Sequence, residues 1–341
     1  MLKNEKESGG KPKKQFSIGD AIYGVRVKLH EKFADRRKPC ARLNAKERNR
    51  KIFYYVMFAF PILQFLIFYI GVNLNSILLA FKSYDYQSGY TFVWFDNFKQ
   101  VVLDIVRLDY MKLAIRNSLL LSAINLGIGM TFSLLFSFYI YKKKFLSETF
   151  RVFLFLPVIV SSLALVIVYR YFCEIAVPNI CELVFHKQID GLLTNYDTQL
   201  GAIIVFNVFA GFGIQILMYS SAMSGIPESV VEAAKIDGIT PLREFFSITL
   251  PLIYPTFVTF FVVTFAGIFT NQMHVFSFFG DKAEYDVYTV GYFLYRQISD
   301  VNTGISEYPY LSAFGLVLTL ISVPMTLLVK KGLETVGPKG E

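Results

Sequence analysis

Long apolar segments alternate with shorter segments that contain charged residues along most of this chain. After residue 51, six stretches contain no Asp, Glu, Lys or Arg. About twenty apolar residues cross the hydrocarbon of a bilayer as a helix, and a charge at mid-membrane costs about 2.5–3.5 kcal/mol on insertion scales. The pattern therefore predicts six transmembrane helices, in the windows 52–81, 117–141, 152–169, 198–227, 245–280 and 308–329.

The composition agrees with a membrane protein. The 341 residues are 54% hydrophobic, 17% aromatic and 18% charged, which is too apolar for a soluble domain with a polar surface. The net charge of +8 would suit nucleic acid, but sixteen of the 34 basic residues lie in the first 51 positions and most others lie at the ends of apolar blocks. Basic residues of a nucleic-acid site cluster on one face. We therefore expect membrane lipid, and not nucleic acid, as a partner.

Basic connections alternate with acidic ones, which orients the predicted helices. Lysines at 142–144 follow the second window, and Lys330-Lys331 follow the sixth, whereas the intervening connections carry acidic residues such as Asp190 and Glu284. The positive-inside rule places both termini in the cytoplasm. The domains are then a basic tail, 1–51, a transmembrane domain, 52–329, and a short tail, 330–341. Two interpretations of the first tail stay open: an interfacial helix at 18–33, or a segment that only sets topology.

One polar connection, residues 224–251, is patterned too specifically for a simple loop. Pro227 suits the first position of a helix, and Gly238 is a natural C-terminal stop. Thr240 before Pro241 predicts a second helix that is capped by the threonine hydroxyl. Between these signals, a pair of alanines leaves the surface shallow, with charges beside it. The sequence predicts helix, break and helix, arranged as a docking element for another protein.

The same connection resembles a family signature. Glu232-Ala233-Ala234, three residues, Gly238, nine residues and Ile248-x-Leu250-Pro251 resemble the EAA motif of bacterial ABC importer permeases, in the carbohydrate-uptake branch. The pairs and runs Phe60-Pro61, Phe95–Phe98, Asn117–Leu119 and Leu156-Pro157 are also similar to that branch. In the family the EAA region sits in a groove of the cytoplasmic ATPase. The resemblance implies these ATPase-coupling residues: Glu232, Ala233, Ala234, Asp237, Gly238, Ile248, Leu250 and Pro251.

The resemblance also implies the rest of the machine. The expected fold is an all-α integral membrane protein of the ABC importer type I permease kind, in a bacterial plasma membrane. Its implied partners are ABC ATPase subunits that hold ATP and Mg, a second homologous permease and an extracytoplasmic solute-binding protein. This chain is expected to bind no cofactor, and it has no G-x-x-x-x-G-K-[ST] phosphate loop. The implied cargo is a sugar or oligosaccharide. Another polar solute is an alternative, and a polytopic membrane enzyme is a more distant one.

Polar side chains in the fourth and fifth windows are candidates for the substrate path. Thr264, Gly267, Asn271, His274 and Phe278 recur every three or four residues, which predicts one helix face. Amide, imidazole and aromatic groups suit the hydroxyls and C–H faces of a sugar. Bonding to neighbouring helices is the alternative, and it stays open. The predicted substrate-path residues are Asn207, Gln215, Thr264, Asn271, Gln272 and His274.

No catalytic or metal site is predicted. The three histidines, His30, His186 and His274, are too scattered for a zinc site. Cys173 and Cys181 share one predicted outer segment and could pair, but nothing in their spacing demands a disulfide, so free thiols are the favoured state.

Overall fold

A computed structural model describes residues 45–300 and 304–338. Most of the basic tail, including the stretch 18–33, lies outside the described residues. The chain divides into two compact units, residues 1–73 and 74–341. In the described part, five helical runs are long and apolar enough to cross a membrane, and a bent pair of helices makes a sixth candidate. The predicted membrane architecture is therefore confirmed.

The elements have the following bounds in the first half of the chain. Helix α1 comprises Ala45–Gln64, Phe65–Gly71 with π-helical bonding, and Val72–Leu79; the strands are β1, Lys82–Asp85, and β2, Gly89–Phe92; α2 is Asp96–Arg107. Helix α3 comprises Asp109–Ile124, the π-helical Asn125–Gly129 and Met130–Tyr141; α4 is Ser147–Ile159; α5 comprises Ser162–Tyr171, the π-helical Phe172–Ala176 and Val177–Phe185.

The second half begins with the long helix α6, Tyr196–Ser224, and continues with α7, Glu228–Ile236. Helix α8 comprises Pro241–Glu244, the π-helical Phe245–Thr249 and Leu250–Leu252, and α9 is Tyr254–Ala266. The remaining helices are α10, Val275–Phe279, α11, Val290–Ser299, and α12, Tyr308–Val336; single 3-10 turns lie at Gly280–Lys282, Tyr285–Val287 and Ile305–Glu307.

Two predicted windows are wrong in their details. The window 152–169 crosses a break, because α4 ends at Ile159 and Val160 and Ser161 are extended; the long apolar run is Ser162–Phe185. The window 245–280 is not one helix either, because α8 and α9 meet at an angle of 74°. Charge-free windows find apolar sequence, but they do not report where the backbone turns.

The antiparallel hairpin of β1 and β2 is not predicted by the sequence analysis. Lys82 pairs with Phe92 and Asp85 with Gly89, and Gly89 has a φ of +71°, which glycine adopts at little cost. Asn97 fixes the base of the hairpin, since its amide nitrogen donates to the carbonyls of Ala80 and Lys82 at 2.8 and 2.7 Å. This gives the resembling motif at 95–98 a structural role.

Polar contacts between elements occur at both ends of the second unit. At one end, Lys142 contacts Glu244 and the hydroxyl of Tyr254 donates to the carbonyl of Leu333 at 2.8 Å. At the other end, the hydroxyl of Tyr310 donates to Asp104 at 2.8 Å. The first set joins the connections that the sequence predicts to be cytoplasmic. The second joins elements that it predicts to lie outside.

Helix α6 packs closely against α3 and α4 in the middle of this unit. The hydroxyl of Ser137 on α3 donates to the carbonyl of Ile216 at 3.1 Å. A Cβ at Gly213 would lie 2.2 Å from a methyl carbon of Val158 on α4, so the two backbones approach over glycine, as small residues permit in membrane helix packing. The core of α6 is thus bound to two neighbouring helices.

Candidate functional site

The connection 224–251 folds as the predicted helix, break and helix. Helix α7 ends in a Schellman motif, in which the amide of Gly238 donates to the carbonyl of Lys235 at 3.1 Å and that of Ile239 donates to Ala234 at 3.2 Å. Gly238 has a φ of +65°, the left-handed conformation in which a side chain is strained. A Cβ at this position would meet no neighbouring atom. The glycine is therefore needed for its backbone conformation and not to avoid a steric clash.

Two predicted details of the helix starts are wrong. Pro227 is the N-cap rather than the first helical residue, since α7 begins at Glu228. Thr240 is the N-cap of α8 and Pro241 its first residue, but the hydroxyl of Thr240 makes no capping bond. The carbonyl of Thr240 instead accepts from the amide of Glu244 at 2.9 Å, and Pro241 has no amide hydrogen that would need a cap.

One face of the connection is exposed and combines charge with large apolar groups. Glu232, Ala233 and Asp237 are exposed, as predicted for a docking surface. Ile236 is 86% exposed and Leu242 69% exposed, and neither was singled out from the sequence. We call these five residues the docking face. Spacing alone did not find the two apolar members, because it does not fix the roll of α7 about its axis.

The other face of the connection is buried in the protein. Ala234 is 4% exposed, so only Ala233 of the alanine pair lies on the surface, which corrects the expectation that both do. Phe245 is 3% exposed and packs with Met130 of α3 and Met223 of α6 in one apolar cluster. Burial of this cluster anchors α8 to the long helices α3 and α6.

The second half of the signature belongs to this anchor. Ile248, Leu250 and Pro251 are half-buried, and Leu250 packs against the cluster that contains Phe245. Thr249, between them, is 1% exposed. We expect these residues to hold the connection in place rather than to contact a partner.

Asn207 and His274, two predicted substrate-path residues, are brought together. The Oδ1 of Asn207 lies 3.1 Å from the Nδ1 of His274. The Nδ2 of Asn207 donates to the carbonyls of Met273 and Ile203, both at 2.9 Å. Asn207 is 8% exposed, so these partners satisfy an amide that is almost completely buried.

The single helix face predicted for the fifth window does not exist. Helix α9 ends at Ala266, and residues 267–274 form consecutive turns. Met273 and His274 have φ angles of +52° and +59°, which are left-handed and not helical. Side chains three or four residues apart share a face only in a continuous helix, so this break separates the predicted residues.

The other predicted path residues have separate positions. Thr264 is half-buried on α9, and Gln215 is half-buried on α6. Asn271 is exposed, and its Oδ1 accepts the amide of Met273 at 2.9 Å. Among the described residues, no donor reaches the buried Oε1 of Gln272. The turn 271–274 therefore combines a polar contact to Asn207 with one buried acceptor that has no donor among the described residues.

A second polar clamp holds the segment that follows this turn. Asn117, fully buried on α3, donates to the carbonyls of Asp286 and Tyr288 at 2.6 and 3.0 Å. The hydroxyl of Ser118 accepts the amide of Val290 at 2.9 Å. In the sequence, Asn117 and Ser118 stand out only because they resemble a family pattern. Asn117 and Ser118 open an apolar window. This position indicates that the two polar side chains must find partners within the fold.

Comparison with known proteins gives consistent matches. The family model described as "Binding-protein-dependent transport system inner membrane component" matches residues 123–331, more than half of the chain. The probable ABC transporter permease protein MG188 of Mycoplasma genitalium is 29% identical over 230 residues, which cover 64% of this chain and 67% of that protein. The arabinooligosaccharides transport system permease protein AraP of Halalkalibacterium halodurans is 27% identical over 282 residues, which cover 80% and 85%.

A solved structure is similar in fold. It is the crystal structure of a bacterial ABC transporter involved in the import of the acidic polysaccharide alginate. A chain of that transporter matches with a TM-score of 0.71 at 20% identity, covering 85% of this chain and 98% of that chain.

Proposed function

Because the chain belongs to the family of binding-protein-dependent transport system inner membrane components, we propose that residues 224–251 couple it to an ATPase and that it carries a sugar or oligosaccharide. The chain is a membrane-spanning permease subunit of an ABC importer and an inner membrane component. Members of this family are not catalytic and typically bind no cofactor. The proposal concerns the site of coupling and the cargo.

The docking face carries the coupling proposal. It lies on a polar connection between membrane helices and exposes Ile236 and Leu242, and exposed apolar groups rimmed by charge are typical of protein interfaces. The anchor formed by Phe245 fixes the opposite side of the same connection to α3 and α6. A partner that moves the docking face would therefore move the ends of two long helices.

The turn 271–274 supports the cargo proposal. It supplies the imidazole of His274 next to the ring of Phe206, which also contacts Phe278, and the unpaired Oε1 of Gln272. A sugar requires donors and acceptors for its hydroxyls and aromatic planes for its C–H faces. The names of the relatives, which refer to arabinooligosaccharides and alginate, agree with this chemistry. Thr264 and Gln215 stay predictions for the same path.

The partners follow from the same proposal. Two ATPase subunits would hold ATP and Mg and close on ATP, and a second homologous permease would pair with this chain. A solute-binding protein would deliver the cargo on the outer side, and the pair would then open alternately to the two sides of the membrane. The crystal structure of the alginate ABC transporter in complex with a pentasaccharide-bound periplasmic protein is consistent with such an assembly.

The cargo is tested by reconstituting the chain with its co-purified subunits in lipid nanodiscs. We expect the binding protein loaded with an oligosaccharide to stimulate ATP hydrolysis about tenfold over the empty binding protein, a coupling of the usual size between two sites. The matched arms use the same binding protein with an amino acid or with glycerol phosphate. Stimulation by one of these solutes and not by any glycan would contradict the sugar proposal.

The orientation is tested with single thiols in a chain whose three native cysteines are replaced. Glu232 and Asp190 are both exposed, so accessibility depends on the side of the membrane. We expect Asp190→Cys to react with a membrane-impermeant maleimide in intact spheroplasts, and Glu232→Cys to react only after lysis. Lys143→Cys and Glu284→Cys are the corresponding second pair. The reverse pattern would show that the orientation is inverted.

A further inference from the structure

A buried ion pair joins the coupling connection to helix α3. The Nζ of Lys142 contacts the Oε1 of Glu244, and the two side chains are only 16% and 9% exposed. The ammonium also lies 5.7 Å from the ring centre of Phe138 and 5.8 Å from that of Tyr141, distances at which an aromatic face attracts a cation. The pair thus connects residues that are about a hundred positions apart in the chain.

This pair differs from the other ion pairs of the described residues. Lys112 with Asp109, and Lys330 with Glu334, are at least half exposed and are local to one helix. Exposed pairs of that kind contribute little, because water screens them. Separating two buried charges instead leaves each one desolvated without a partner, which is strongly unfavourable. Lys142 and Glu244 are therefore expected to stay together when the connection moves.

The pair lies where movement of the connection would reach α3. Glu244 lies two residues after Leu242 of the docking face. The next residue, Phe245, packs on Phe138 with ring centres 5.1 Å apart. A cavity of about 910 Å³ lies between the end of α3 and α7, and Lys142 and Glu244 line it together with Glu228 and Lys235. This open space allows α7 to shift relative to α3, so the two elements are tied chiefly through Glu244 and Phe245.

The other end of α3 contacts the outer segment of the protein. Asn117 and Ser118 bond the backbone at residues 286–290, as described above. One helical run, Asp109–Tyr141, therefore contacts the coupling connection at one end and the segment after the polar turn 271–274 at the other. A displacement of Lys142 along the helix axis would act on that segment through the hydrogen-bonded run of α3, in which the bonding is π-helical at Asn125–Gly129.

We propose that the Lys142–Glu244 ion pair transmits movement of the coupling connection to α3 during transport. Both are assigned as positioning residues, since they act through the contact between α3 and the connection. Apolar contacts such as that of Phe245 can slide, whereas separating two largely buried charges is costly, so the pair holds the connection and the helix in a fixed relative position. This inference rests on the proposed coupling role of residues 224–251.

The test uses the complete importer in nanodiscs and four variants of this chain: Lys142→Met, Glu244→Gln, the exchange of both charges, and Lys143→Met as the matched exposed control. We expect both neutralised variants to co-purify with the ATPase and to hydrolyse ATP at the basal rate. Their uptake and their stimulation by the loaded binding protein should fall about tenfold, which lies within the range of interaction energies between contacting residues. The exchange Lys142→Glu with Glu244→Lys should restore most of both, and Lys143→Met should behave as the wild type.

Wild-type stimulation and uptake in both neutralised variants would overturn the proposal, as would an assembled exchange variant that stays as defective as the single ones. If the single variants fail to assemble, the exchange decides: recovery of uptake supports the ion pair, and continued failure overturns it. Failure of the coupling proposal itself is recognised separately, because Ile236→Asp would then keep the ATPase and its uptake. The two proposals can therefore fail independently.

Discussion

Replacing Ile236 by aspartate is expected to abolish uptake and to release most of the ATPase from the purified chain. The side chain is 86% exposed in this subunit, so the substitution should leave the fold of the connection intact. Burying an isoleucine in an interface contributes about 1.5–3 kcal/mol, which corresponds to roughly ten- to a hundredfold in affinity. An unpaired carboxylate in the same place adds a desolvation cost. Co-purification of the ATPase and uptake by proteoliposomes measure the two effects.

The control for this variant is Val336→Asp. Val336 is also 86% exposed, but it lies at the end of α12 and outside the docking face. It should keep both the ATPase and the uptake, and Ile236→Val should be close to the wild type. If Ile236→Asp retains ATPase and transport at wild-type levels, the apolar part of the docking face has no role in coupling.

The backbone of the coupling connection was predictable because its signals are local. Gly238 and Pro241 act through conformations that each residue imposes on its own backbone, and the structure has the turn and the second helix at those positions. The direction in which side chains point was not predictable in the same way. Ala234 is buried and Ile236 exposed because tertiary packing of α7 sets its roll, and spacing within the motif contains no information on that packing.

The membrane spans were predictable where the charged residues that bound an apolar segment lie close to the ends of the helix. For α6 and α12, the observed bounds agree with the predicted windows within a few residues at most ends. The third span failed because it tolerates charge: Glu174 lies inside α5, and its carboxylate accepts the amide of Leu193 at 2.9 Å and the hydroxyl of Thr194 at 2.7 Å. A rule that excludes charged residues from spans misses a carboxylate that the fold satisfies.

The contact between Asn207 and His274 was anticipated for an incomplete reason. Amide and imidazole groups in apolar windows must find partners, and the structure brings Asn207 of the fourth window and His274 of the fifth into contact. The helical periodicity used to extend the site was wrong, because α9 ends at Ala266 and the backbone is left-handed at Met273 and His274. Positive φ angles at two residues other than glycine are set by the surrounding structure, and the local sequence does not predict them.

Replacing Asn207 by leucine is expected to reduce uptake about tenfold or to change the preference among glycans, while the ATPase stays bound. The change removes the donor to the carbonyl of Met273 and the partner of His274. Each buried polar group left unpaired costs about 1–3 kcal/mol, and the left-handed turn depends on these bonds. Release of the turn would move the imidazole and the free acceptor of Gln272 away from the position proposed for cargo.

The decisive measurement compares uptake of two glycans at saturating loaded binding protein for Asn207→Leu, His274→Ala and Asn271→Ala. A role in the substrate path predicts that the ratio of the two rates changes in His274→Ala and Asn271→Ala, since these side chains differ in what they offer to a hydroxyl. A role in packing alone predicts a lower thermal midpoint with an unchanged ratio, because loosened helices affect every cargo equally. An unchanged ratio in all three variants would remove the turn 271–274 from the substrate path and leave it as a contact between helices.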